Sequence, residues 1–186
     1  MFSKANRFYG GHGIVGAQVP IGVGLAFAHK YRNEKKISRV YVGDGAMSNG
    51  QVFEAFNLAS LWNLPVLFII ENNRYGMGTA VNRSAAGKDL YERATVFGIE
   101  GEKINGMDFF EVSQAAIRAR DHIYENSKPY VLEMDTYRYR GHSMSDPATY
   151  RTKDEVSEMK SNDPLLSMKN KLLKDFKVKE DEILSL

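Results

Sequence analysis

The stretch from Ser38 to Gly76, SRVYVGDGAMSNGQVFEAFNLASLWNLPVLFIIENNRYG, decides the fold of this chain. Ser38 to Val42 reads as a short apolar strand that ends in Gly43-Asp44-Gly45. Gln51 to Leu61 reads as a helix, with Val52, Phe53, Phe56, Leu58, Ala59 and Leu61 on its apolar side. From Pro65 a second strand, PVLFII, is apolar throughout, as expected of a parallel strand covered on both faces. Glu71 to Gly78 then reads as a polar loop. Strand, helix and strand in that order form a parallel crossover unit.

Working outward, the same alternation continues. A glycine-rich loop, Gly10 to Gly16, precedes a helix over Ala17 to Arg32, whose glycines and alanines predict close packing against a neighbour. Downstream, a weak helix is expected over Lys88 to Phe97 and a strand over Ile99 to Ile104. A helix over Phe109 to Tyr124 follows, with Asp108 placed to cap it. Tyr130 to Thr136 reads as the last strand, and Tyr137 to Thr152 as a long loop. After Lys153 the chain is charged and helical, with Asp163-Pro164 opening a helix through Lys174. The pattern predicts an α/β fold, a mostly parallel sheet with flanking helices. Residues 1–152 read as one α/β domain and 153–186 as a helical extension.

Composition narrows the chemistry. With 186 residues and 43% hydrophobic content, the chain can build one sizeable core. A net charge of +2 gives no electrostatic footprint for nucleic acid or a membrane surface. Zero cysteines exclude a disulfide framework, a thiolate metal site and a cysteine nucleophile. No apolar run approaches the roughly 20 residues of a membrane helix. The opening MFSKANRFYGGHG lacks the apolar stretch of a signal peptide and reads as a loop from within a larger protein.

The two polar segments behind the two strands are where ligands bind in open parallel sheets. Asp44 offers a carboxylate oxygen, Asn73 an amide oxygen and Tyr75 a backbone carbonyl. Such hard donors suit Mg²⁺ or Ca²⁺ rather than zinc. The N–H groups of Gly45 and Ala46, on the way to the next helix, are placed to face a phosphate. Gly-Asp-Gly alone is an ordinary turn, and Asn-Asn alone an ordinary polar loop. The pair, each behind a buried strand and joined by one helix, favours a binding site.

Gly43-Asp44-Gly45 followed by Asn72-Asn73 resembles the thiamine-diphosphate signature. The flanking text FYGGHGIVGAQVP, GQVFEAFNLASLWNLPVLFIIENNRYGMGT and TYRYRGHSMSDPATYRTKDE is similar to alpha subunits of the 2-oxo acid dehydrogenases, those acting on pyruvate first. The resemblance runs from Phe8 to about Pro164. It implies a thiamine-diphosphate-binding fold and, as cofactors, thiamine diphosphate with Mg²⁺ held by Asp44, Asn73 and the Tyr75 carbonyl. It places Gly45 and Ala46 at the diphosphate, Gly13 and Val15 beside the aminopyrimidine, and Ala5 at a further cofactor contact. It places His142, in Arg140-Gly141-His142-Ser143, near cofactor and substrate. Its implied partners are a beta subunit that supplies the activating glutamate, the lipoyl domains of the dihydrolipoyl acetyltransferase core, and pyruvate. Its implied assembly is a heterotetramer, and its implied product in the full complex is acetyl-CoA. Relative to the family, an N-terminal stretch and part of the C-terminal tail are expected to be missing. The chain is accordingly expected to bind cofactor weakly alone and to turn over only with partners. Its compartment is read as bacterial cytoplasm ahead of mitochondrial matrix.

Several features weigh against over-reading. His29 and His122 fall on predicted helices and read as packing or surface residues, and His12 lies in the glycine loop at no position used for chemistry. Ser143 matches the family's phosphorylation site. However, Ala80 stands where a companion serine is expected, and Thr149 stands in a loop one residue shorter, so regulation is not expected. Glu71 reads as a residue that helps hold the asparagine loop. Tyr137, Arg138, Tyr139 and Arg140 read as loop anchors and acid partners, and Lys169 to Glu182 as a solvated helix face. Gly11-His12-Gly13-Ile14-Val15-Gly16 has dinucleotide-site letters but follows no strand, which removes the nicotinamide reading. A non-catalytic assembly fragment of the same fold, or a subunit for another 2-oxo acid or acetoin, are the alternatives.

Overall fold

Strand β2 (Val66–Asn72) is central, and its period of two explains why it is apolar on every residue. Val66, Phe68 and Ile70 point into one buried cluster, while Leu67 and Ile69 point into another on the opposite face. The computed structural model describes residues 2–87 and 89–184. Four strands form a parallel sheet in the order β1 (Ser38–Gly43), β2, β6 (Tyr130–Asp135), β5 (Glu100–Asn105). The small strands β3 (Tyr75–Gly76) and β4 (Thr79–Ala80) pair separately as an antiparallel hairpin.

One face of the sheet is covered by α1 (Gln18–Tyr31) and α2 (Gly50–Leu61). They bring Val19, Val23, Ala26, Val52, Ala55, Phe56 and Ala59 onto Val40, Val42, Phe68 and Ile70. Gly22 is the close approach that the small residues of α1 predict. A Cβ there would stand 2.0 Å from the Val40 side chain, so only glycine lets α1 lie this near β1. The other face is covered by α5 (Phe109–Asn126), through Ala115, Ala119 and Ile123 against Leu67, Ile69, Ile104 and Leu132.

The remaining helices are short or peripheral: α3 (Val81–Ser84), α4 (Glu92–Thr95), α6 (Lys153–Ser161), α7 (Pro164–Lys174) and α8 (Glu180–Leu184). The weak helix expected over Lys88 to Phe97 is only the four residues of α4, with the left-handed Gly98, φ 72°, closing its C-terminal side. Lys88 lies outside the described residues. Residues 137–152 form a long loop as expected. Between Lys169 and Glu182 the expected helix face is broken into the end of α7, a connector and α8, with Lys169 paired to Glu180 at 2.5 Å. No helix among the described residues is long and apolar enough to cross a membrane.

Asp108 caps α5 as predicted, accepting from the N–H groups of Phe110 at 2.9 Å and Glu111 at 3.2 Å. Asp108→Ala is expected to cost about 1 kcal/mol, read as a lower denaturation midpoint. The Glu111 N–H first, then the Phe110 N–H and Lys171, hold this carboxyl below its ordinary value against the opposing effect of burial. A depressed carboxyl contributes stability above its unfolded pKa and loses it as pH falls through the folded one. The gap between wild type and variant should therefore be full at neutral pH and shrink below about pH 4.

Candidate functional site

The carboxyl ends of β1 and β2 are in register, Gly43 opposite Glu71, so the two polar segments leave the sheet side by side. Asp44 to Ser48 fold at once into a single 3-10 turn. Gly45 and Ala46 belong to this turn, which leads directly into α2 as expected. That helix has its own cap, Asn49, whose side chain accepts from the Gln51 N–H at 3.2 Å. Gly45 is exposed and Ala46 is 8% exposed.

The expected polar loop from Glu71 to Gly78 is a different object. Glu71 and Asn72 are the last residues of β2, and residues 75–80 are the hairpin β3–β4. Glu71 is exposed and does not hold the segment by its side chain. Carboxylates on β6 do that. Glu133, fully buried, accepts from Asn72 Nδ2 at 2.7 Å and from the Tyr91 N–H at 2.9 Å. Asp135 accepts from Arg74 through two guanidinium bonds of 3.2 Å. Asn72 in turn accepts from the Arg74 N–H at 3.1 Å, and Asn73 Oδ1 accepts from the Tyr75 N–H at 3.3 Å.

The hairpin crosses the 3-10 turn backbone to backbone. A Cβ on Gly76 would meet Gly45 Cα at 3.2 Å and Asp44 Oδ2 at 3.7 Å. This crossing brings Asp44, Gly45, Asn73 and Tyr75 together. Asp44 is 6% exposed, and no cationic side chain pairs with it among the described residues. Burial pushes its carboxyl above the ordinary value, while its own N–H, the Asn73 N–H and the Arg138 charge pull the other way. The Tyr75 carbonyl accepts from Arg138 at 3.2 Å, and a carbonyl oxygen keeps a second lone pair beyond that bond. Among the described residues no group of three or more His, Asp or Glu gathers as a metal cluster. A cation at this crossing would therefore draw on amide and carbonyl oxygens besides one carboxylate.

The glycine loop joins the same end of the sheet. Asn49 Nδ2 and Gln51 Nε2 both donate to the Val15 carbonyl, at 3.1 and 3.0 Å. Gly13 and Val15 are exposed there, and nothing lies within 4 Å of where a Gly13 Cβ would stand. No strand directly precedes this loop, only an isolated bridge between Ser3 and Phe8. Ala5 is exposed in the turn between those two residues, and no hydrogen bond among the described residues ties it to the crossing.

His142 is exposed in a turn held by Asp146, which accepts from the His142 N–H at 2.7 Å, the Ala148 N–H at 2.8 Å and the Tyr150 hydroxyl at 2.8 Å. Tyr150 also accepts from Arg138 at 2.9 Å, so a relay of bonds runs from the His142 turn to the Tyr75 carbonyl. Ser143 is exposed in the same turn, its hydroxyl 3.2 Å from that of Ser145. Arg138 anchors the loop on carbonyls, those of Tyr75 and Met77, and among the described residues makes no ion-pair contact with an acid. His29 and His122 lie on α1 and α5, bonded to Glu34 and tilted against the Tyr130 ring at 4.9 Å respectively. Sequence reasoning read Arg138 as a loop anchor but missed Glu133, Asp135 and Glu155 as residues that hold the site. A buried acid in the otherwise apolar strand YVLEMD was the readable signal for Glu133.

The profile of the family described as "Dehydrogenase E1 component" matches residues 1–184. The chain is 56% identical over 173 residues to the pyruvate dehydrogenase E1 component subunit alpha of Rickettsia felis, covering 93% of this chain and 53% of that one. It is 54% identical over 184 residues to the subunit of the same name from Rhizobium meliloti, covering 98% and 53%. To the mitochondrial subunit alpha of Saccharomyces cerevisiae it is 56% identical over 175 residues, covering 93% and 41%. The chain thus spans about half the length of these relatives. With its parallel sheet and the match along nearly its whole length, the chain belongs to the dehydrogenase E1 component family.

Proposed function

We propose that this chain is the cofactor-diphosphate portion of a pyruvate dehydrogenase alpha subunit. Asp44, Asn73 Oδ1 and the Tyr75 carbonyl would hold Mg²⁺, with Gly45 and Ala46 at the diphosphate. Gly13, Val15 and Ala5 would line the aminopyrimidine side, and His142 would stand near cofactor and pyruvate. The observation that carries this reading is Asp44: a 6% exposed carboxylate at a strand end, raised by burial, with the Arg138 charge acting on it but no ion-pair contact among the described residues. A buried carboxylate without a counter-charge is costly unless a cation joins it. The donor set is all oxygen, which fits Mg²⁺.

When bound, thiamine diphosphate supplies the electron sink that lets a 2-oxo acid lose carbon dioxide. The chain's own residues do the rest of the work at this end. Asp44 would supply one negative charge towards the metal, the diphosphate the rest. Gly45 and Gly76, without side chains, let the two segments cross in close contact: a Cβ on Gly76 would stand 3.2 Å from Gly45 Cα. The exposed His142 ring can exchange a proton with a substrate oxygen. A beta subunit would supply the remaining half of the active site. Lipoyl domains of an acetyltransferase core would accept the acetyl group on its way to acetyl-CoA. Residues 1–152 are the cofactor domain in this reading and 153–186 its extension. The mainly bacterial relatives favour a bacterial cytoplasm as its compartment.

Calorimetric titration of thiamine diphosphate with Mg²⁺, with a beta subunit present, tests this. Losing an outer partner of a metal ligand costs roughly 10–100-fold in affinity. Asp44→Ala removes a ligand itself and should weaken binding by at least about tenfold. Equal binding by wild type and variant would remove Asp44 from the site and favour the assembly-fragment alternative.

A further inference from the structure

The hairpin β3–β4 is poorly equipped to hold its own shape. Each strand has two residues, too few for independent stability. Two non-glycine residues beside Tyr75–Gly76 are left-handed, Arg74 at φ 72° and Met77 at φ 54°. Such conformations persist when their surroundings enforce them. The crossing under the hairpin is glycine on glycine and offers no side chain to lock it.

The enforcement comes from beyond the hairpin. The Tyr75 hydroxyl donates to both carboxylate oxygens of Glu155, at 3.0 and 3.2 Å. The Tyr137 hydroxyl donates to the same carboxylate at 2.8 Å. Glu155 lies in the first turn of α6, and its N–H is capped by Thr152 Oγ1 at 3.1 Å. Its carboxylate is thereby held on a fixed piece of backbone. Arg74 feels the charge of this acid, and Arg151 lies over the Tyr137 ring at 5.3 Å. Arg151 also donates to the carbonyls of Arg138 and Arg140, which steadies the loop carrying Arg138. The hairpin is therefore gripped at both ends of Tyr75, the hydroxyl by Glu155 and the carbonyl by Arg138.

We propose that Glu155 is a positioning residue for the cofactor site: through the Tyr75 hydroxyl it fixes where the Tyr75 carbonyl stands beside Asp44 and Asn73. The proposal rests on the cofactor reading above. It makes the 153–186 extension part of the site's support. Its action on the site runs through Tyr75, while Tyr137 helps to hold its carboxylate in place.

The test uses the full chain with a beta subunit and titrates thiamine diphosphate with Mg²⁺. Glu155→Ala and Tyr75→Phe should each weaken binding about tenfold, the scale of one bond to a charged group. The double variant should be no weaker than either single one, as for two residues sharing one contact. Glu155→Gln, whose amide oxygen still accepts, should recover most of the affinity. In the metal-free chain, amide exchange at residues 75–80 should speed up in Glu155→Ala. Undiminished affinity together with unchanged exchange in Glu155→Ala overturns the proposal. Losses that add in the double variant also overturn it, because they mark two independent structural defects. If wild type takes up no thiamine diphosphate, the cofactor reading falls instead. The exchange measurement then decides alone whether Glu155 clamps the hairpin.

Discussion

Glu133→Ala should lower the melting temperature of this chain by roughly 6–12 °C, from a loss of about 3 kcal/mol at a few degrees per kcal/mol. Glu133 is fully buried in β6, where each neighbour on the strand is apolar or half-buried. Its two oxygens are committed to different segments, one to Asn72 Nδ2 and the other to the Tyr91 N–H. Lys103 Nζ stands 3.9 Å away and supplies a counter-charge. Truncation strands two donors in the interior, each costing roughly 1–3 kcal/mol, and leaves Lys103 without this partner. Glu133→Gln should lose less, since it keeps one acceptor while turning an N–H₂ towards a donor. The same change should loosen the site, because Asn72 orients the Arg74 N–H at the exit of β2. Thermal melts of wild type, Ala and Gln variants side by side check the order. A Glu133→Ala chain as stable as wild type would mean that the tie is dispensable.

Phe56→Ala should be the most destabilising single truncation in the core, at about 4 kcal/mol. Phe56 has 0% exposure on the sheet side of α2. Its ring meets Phe68 edge-on at 4.8 Å and 80°, with Phe53 and Phe97 at 6.5 and 6.3 Å. The cost has two parts, the lost transfer of the ring and a cavity that these aromatic neighbours cannot close. Phe56→Leu should lose well under half as much, since it refills most of the volume. Denaturant unfolding should show a lower midpoint with an unchanged slope. The two kinds of damage are separable. At temperatures well below melting, Phe56→Ala should still bind cofactor with Mg²⁺, whereas Asp44→Ala should fold normally and bind at least about tenfold more weakly.

The order of the four main strands and their covering helices, the parallel sheet and the Asp108 cap were legible in the sequence, because each rests on local periodicity or a local hydrogen bond. PVLFII read as a two-sided strand since both of its faces had to be apolar, and the structure divides those residues between two clusters. Asp44 and Asn73 were legible as a pair because two consecutive parallel strands deliver their ends to one place.

What tertiary structure alone decided is how that pair is held. The polar segment after Ile70 read as loop because Glu71, Asn72 and Asn73 carry no apolar period. Pairing with β6 extended the strand over two of them, and pairing is a property of the neighbour. Glu71, next to the asparagines in sequence, points away, while Glu133, sixty-one residues beyond Asn72, does the holding. Arg138 reaches the Tyr75 carbonyl across sixty-three positions, and Glu155 its hydroxyl across eighty. Local patterns carry which residues turn, cap or pack. Hydrogen bonds between segments so far apart leave no periodic mark, because only the folded chain sets the distance between them.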